Sequence, residues 1–207
     1  MPRKFYIDTH KGITFLVILG MMALFNQWQN ATAWVYLALH GTYGVLWVLK
    51  SRIFPDKKWE QPVSIWRGVG YYWAGLTLYW ITPYLLNSRA VQAPPWLLGM
   101  VISTCTLGIF LHYVSDMQKY IELKYNPGTL ITDGLVRNTR SINYFGELLI
   151  YGAFALLAMH WLPFVILASV VAVEWLPNMR RKDASLARYP QFAEYEKNSR
   201  KFIPFLY

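Results

Sequence analysis

Charge is scarce in this chain: 15% of its 207 residues are charged, against 55% hydrophobic, and the mean hydropathy is +0.23. Soluble domains carry about a quarter of their residues as charges, so a soluble globular class is excluded. Cysteine is nearly absent. The single Cys105 lies in an apolar run, which excludes a disulfide framework and any Cys/His metal spacing. Histidines at 10, 40, 112 and 160 are too scattered for a haem or metal cluster. No glycine-rich phosphate loop occurs, since Gly68-Val-Gly70 is too short and sits in an apolar stretch. No nucleophile elbow marks a Ser-His-Asp hydrolase either. The net charge of +9 could suit nucleic acid, but its distribution argues for a membrane.

What is present is apolar sequence in long runs. A membrane-spanning helix needs about 20 mostly apolar residues, and six such runs are predicted, at 12–27, 31–49, 64–86, 95–114, 143–159 and 161–177. The expected fold is all-α, a polytopic integral membrane protein forming a single membrane domain over 1–207. The basic N-terminal stretch before Gly12 is read as the flank of a retained first span, because no small-residue cleavage site follows. With six spans, the N-terminus, the 50–67 region, the 115–142 region and the C-terminal tail share one side. They carry 3, 5, 4 and 7 Lys/Arg, whereas Arg89 is alone on the other. The positive-inside rule then places both termini in the cytoplasm. A bacterial inner membrane and an endoplasmic reticulum membrane fit equally well. The tail from Arg180 to Tyr207 is expected to be cytoplasmic, with anionic lipid as one partner.

Polar groups gather at the cytoplasmic ends of the later spans. His112, Asp116, Lys119 and Tyr120 follow one another at helical spacing, and Asn143 and Glu147 stand one turn apart at the start of the fifth span. The sixth run ends with Glu174, followed by Asn178, Arg180, Arg181 and Asp183. Ionisable groups near membrane depth point to function. Asn143 alone would also serve as an N-cap and Glu147 as a charge favoured at a helix N-terminus, but capping needs no second acid at the fifth position. Within the second span, His40 and Tyr43 share a face, with Gly41 and Gly44 leaving room beside them. They could donate a proton or hydrogen bond to a substrate oxygen, or could pack helices. Tyr71, Tyr72, Trp73, Tyr79 and Trp80 could line a flat lipophilic substrate or pack between helices.

The region from Ser115 to Tyr207 resembles the C-terminal region of the steroid 5-alpha-reductase family and its relatives, the sterol C14 and C7 reductases. The residues that carry the likeness are Ser115-Asp116-Met117-Gln118-Lys119, Gly134-Leu135, Asn143-Tyr144-Phe145-Gly146-Glu147, Arg181-Lys182-Asp183, Tyr195 and Phe202-Ile203-Pro204-Phe205. The resemblance implies that residues 115–207 bind NADPH and that 12–114 form the substrate side. It implies that Asn143 and Glu147 contact the cofactor amide and ribose, with Asp116 and Lys119 beside them. Arg180, Arg181, Asp183, Tyr189 and Tyr195 would enclose the adenosine phosphate end. More distantly, the region is similar to isoprenylcysteine and phospholipid methyltransferases. Those favour Arg-His-Pro-x-Tyr and a Glu-Glu pair, where this chain has Arg140-Ser-Ile-Asn143-Tyr144 and Lys182-Asp183. The expectation is an NADPH-dependent reductase of a lipophilic enone such as a 3-oxo-Δ4 steroid, with Tyr43 and His40 as catalytic candidates. The alternative is a membrane methyltransferase using S-adenosylmethionine.

Overall fold

The computed structural model describes residues 1–207 and is built from helices without strands. Helix α1 spans Arg3–Leu24 and α2 spans Ala31–Ile53. A helical run over 65–88, here α3, follows, then α4, Pro95–Tyr125. A short 3-10 turn, Gly134–Val136, precedes α5, Ile142–Leu157. Helix α6 runs from Trp161 to Leu186, and α7 is Phe192–Asn198. Helices α1, α2, α4 and α6 are long and apolar enough to cross a membrane, and the chain is an integral, multi-pass membrane protein.

The six apolar runs expected from the sequence are all helical, but their outlines differ. Helix α4 continues 11 residues past its apolar run, and α6 carries on through Arg180–Asp183. Hydropathy reads where hydrocarbon ends, and these helices do not end there. Helix α5 has 16 residues; at 1.5 Å per residue that is about 24 Å, short of a typical hydrocarbon core.

Prolines explain two of the three helical irregularities. A helical proline lacks an N–H and crowds the carbonyl four residues back. Pro83 thus strains the turn at Tyr79, where Leu78–Trp80 tightens into 3-10 geometry. Pro177 does the same to Val173, which lies in a widened π turn, Val171–Trp175. That widening turns Trp175 inward, against Tyr144 at 5.6 Å and Phe202 at 6.4 Å. A second π turn, Gly68–Trp73, lies in α3.

Turns between spans are tight. Asn30 caps α2, accepting from the N–H groups of Thr32 (2.9 Å) and Ala33 (3.4 Å). Met159 adopts φ 45° in the α5–α6 turn, and the His160 ring accepts from the Leu162 N–H at 3.1 Å.

The chain divides into two compact units, 1–105 with 152–166, and 106–151 with 167–207. In the first, α1 and α2 approach through glycine: a Cβ at Gly44 would stand 2.3 Å from the Lys11 carbonyl oxygen. Such small-residue contacts are how apolar helices associate where lipid supplies no hydrophobic drive.

Candidate functional site

In the second unit the site begins with two glycines. A Cβ on Gly108 would lie 2.7 Å from the Gly146 carbonyl oxygen, and one on Gly146 would lie 2.7 Å from that of Gly108. Backbones of α4 and α5 therefore touch at this crossing. One turn beyond it α4 presents His112 and then Asp116, while α5 presents Asn143 and Glu147.

The crossing brings these four side chains together. The His112 Nδ1–H donates to the Asn143 carbonyl at 3.3 Å. Its Nε2 edge stands 4.0 Å from both Asp116 Oδ2 and Glu147 Oε1. Asn143 Nδ2 donates to Asp116 Oδ1 at 3.4 Å. His112 is buried, whereas the carboxylates keep 11% and 13% side-chain exposure. Two partly open carboxylates beside an amide suit ligand hydroxyls and a carboxamide, since ionised carboxylates accept and an amide both donates and accepts.

Cations lie on α4 and α6. Lys119 is exposed on α4, and Arg180 and Arg181 are exposed on α6. Lys182 is half-buried and donates to the Arg140 carbonyl. It lies beyond the apolar part of α6, and burial, with Lys119 nearby, pushes its ammonium down to about 8 against the attraction of Asp183 and Asp116. Lys119, Lys182 and Asp116 thus share one electrostatic neighbourhood.

A second network lies alongside, and it is saturated. Arg140, 4% exposed, donates through Nε and Nη2 to the two oxygens of Asp183, each at 3.2 Å. Its Nη1 donates to the Ser199 carbonyl and hydroxyl, both at 3.0 Å, and to the Glu196 carbonyl at 3.2 Å. Lys201 adds a contact to Asp183 at 3.4 Å. Backbone bonds match: Arg140 N–H to the Arg200 carbonyl at 2.8 Å and Ser141 N–H to that of Lys201 at 3.0 Å. Tyr195 donates to the Val136 carbonyl at 2.7 Å, and burial pushes its phenol up to about 12, which keeps it a donor. The loop before α5 is therefore stitched to the tail, and Phe192, Tyr195 and Phe202 are buried by it.

Of the residues singled out by sequence, Asp116, Asn143 and Glu147 meet, with Lys119 nearby. Asp183 has both oxygens engaged by Arg140. Tyr195 holds the loop, and the Tyr189 hydroxyl accepts from Arg188 at 3.2 Å. Arg140 and Lys182 stand in the quoted motifs without a role of their own, and the fold supplies one. Lys182 follows Asn178 by four residues, a spacing that could have marked it.

In the first unit, Tyr43 is fully buried and its oxygen accepts from Lys11 Nζ at 3.3 Å. His40 Nδ1 shares a hydrogen bond with Tyr36 at 2.9 Å, and its ring stacks on Phe154 at 4.3 Å. Both groups can act on a neighbouring oxygen, and both are held in place by aromatic packing.

A family profile described as "Protein of unknown function (DUF1295)" matches residues 3–198. No curated protein matches the chain.

Proposed function

The chain belongs to the DUF1295 family, and from that premise we propose that it is a membrane-embedded, NADPH-dependent reductase of a lipophilic enone, such as a 3-oxo-Δ4 steroid or a related lipid. The observation that carries this reading is the meeting of Asp116, Asn143 and Glu147 around His112, with Lys119 and Lys182 in the electrostatic neighbourhood of Asp116. The resemblance of residues 115–207 to steroid 5-alpha-reductases supports the same assignment.

The donor set suits the dinucleotide. Carboxylates of Asp116 and Glu147 would accept from ribose hydroxyls, and Asn143 would pair with the nicotinamide carboxamide. Exposed Lys119, Arg180 and Arg181 would hold phosphate oxygens, where charge-assisted bonds are strongest. Arg140 and Asp183, already paired, would keep the surrounding loop in shape. When bound, NADPH supplies a hydride. The chain's own part in the chemistry would be to stabilise charge growing on a substrate carbonyl oxygen, for which Tyr43 is the candidate and His40 a second.

Mass spectrometry of the nucleotide that co-purifies in detergent tests the reading. NADP(H) is the expected result; S-adenosylhomocysteine would replace the reductase with a methyltransferase. The variant Glu147→Ala should lose NADPH binding while keeping its helical spectrum. Equal affinity in parent and variant would remove Glu147 from the site.

A further inference from the structure

We propose that Lys11 is a proton relay that connects Tyr43 to a water-accessible cavity at the charged end of α1 and α2. The proposal rests on the reductase reading for its purpose, though not for its geometry.

Reduction of a C=C bond consumes a hydride and one proton, and the proton comes from water. Tyr43 can give a proton only if its phenolate is reprotonated, yet Tyr43 has no exposed surface. The Lys11 ammonium donates to its oxygen at 3.3 Å and is a group that can hand over a proton. Lys11 is itself 8% exposed, with Nζ 4.2 Å above the Trp47 ring and 4.4 Å above that of Tyr43. A charge so placed is held by ring quadrupoles.

From Lys11 the line continues outward. Trp47 donates its indole N–H to Asp8 Oδ1 at 3.2 Å, and Ser51 donates to Asp8 Oδ2 at 2.7 Å. Asp8 and Lys11 thus flank the same indole and stand one turn apart on α1. Asp8, Trp47 and Ser51 in turn line a cavity with Lys4, Lys50 and Glu60. Asp8 therefore borders a cavity with charged walls, the side from which the proposed relay would draw its proton. Lys50 Nζ also stands 5.1 Å from the Trp47 ring centroid.

The step balances. As Tyr43 loses its O–H proton to the substrate, an N–H bond of Lys11 breaks and the phenol O–H reforms. The neutral amine then takes a proton from water through Asp8. An arginine at position 11 would keep the cation and its hydrogen bond but could not perform this exchange, because its guanidinium does not deprotonate in proteins.

Tyrosine labelled with carbon-13 at the hydroxyl-bearing carbon tests the relay without substrate. In mixed light and heavy water that carbon reports how fast its hydroxyl exchanges with solvent. The Tyr43 signal, assigned with Tyr43→Phe, is expected to exchange fast despite complete burial. Tyr36, equally buried but bonded to His40, is expected to exchange slowly. Both Lys11→Arg and Asp8→Asn should slow Tyr43 by at least about tenfold, and Lys57→Met should not. Slow exchange in the parent, or fast exchange retained in Lys11→Arg, overturns the relay. Rescue by arginine would leave Lys11 a purely structural cation. Absence of NADP(H) alongside fast, Lys11-dependent exchange would overturn the reductase reading and leave the proton path standing.

Discussion

Two acid–base clusters lie in the same unit and differ in one respect. Arg140 and Asp183 are closed: their side-chain contacts run at 3.0–3.4 Å, and the guanidinium is buried. His112, Asp116 and Glu147 are set more loosely, with the ring nitrogen 4.0 Å from each carboxylate. A closed network fixes a conformation; a looser one can rearrange around a visitor. By this criterion Asp183, although it belongs to the stretch that resembles a cofactor-binding motif, acts through the loop it fastens, whereas Glu147 is the better candidate for acting on a ligand under the proposed function.

Breaking the closed cluster should have the largest effect. Arg140→Met leaves Asp183 buried with Lys201 as its remaining cation, and removing one partner of a buried pair costs about 3–5 kcal/mol. The expected outcome is a large drop in thermal midpoint in detergent, with the tail becoming sensitive to protease. A variant as stable as the parent would mean that the tail is held by its aromatics alone. In the looser cluster the order reverses. Glu147→Gln should leave the midpoint nearly unchanged and weaken NADPH binding by about tenfold or more, the worth of a hydrogen bond to a charged group. Calorimetric titration of parent and variant checks it. A loss of stability equal to that of Arg140→Met would erase the distinction between the two clusters.

The spans were legible because lipid demands an unbroken apolar run, and the Asn143/Glu147 spacing was legible because one helical turn puts both on one face. Gly146 was quoted as part of that stretch, yet its purpose was hidden. It matters because Gly108, on another helix, meets it backbone to backbone, and local pattern carries no such pairing. Arg140 was hidden for the same reason. As one of several basic residues before a span it reads as a topology signal, and only the tail's return to residues 138–141 gives it six hydrogen bonds. The helical extensions of α4 and α6 escaped because polar residues end a membrane span without ending a helix.

A smaller effect is expected from Lys182, which borders both clusters and has Asp183 and Asp116 to offset its burial. Its ammonium is pushed down to about 8 in the folded protein, against 10.5 as the ordinary value. Between those pH values the unfolded chain binds a proton that the folded one does not, so stability should rise with pH across that window. In Lys182→Met that rise should vanish. Thermal midpoints of parent and variant from pH 7 upward to about 10 measure the difference. Parallel curves would mean that Lys182 is solvated and belongs to neither cluster.

The smallest effect separates the loop from the tail within the closed cluster. Tyr195→Phe removes the bond to the Val136 carbonyl but keeps the buried ring. One neutral hydrogen bond is worth about 1 kcal/mol, so the midpoint should fall slightly and Arg140 should still hold residues 138–141. Because Val136 precedes the fastened segment, hydrogen exchange should quicken at Gly134–Val136 and stay slow at Arg140 and Ser141. Equal quickening at both places would show that Tyr195, rather than Arg140, is the residue on which the closed cluster depends.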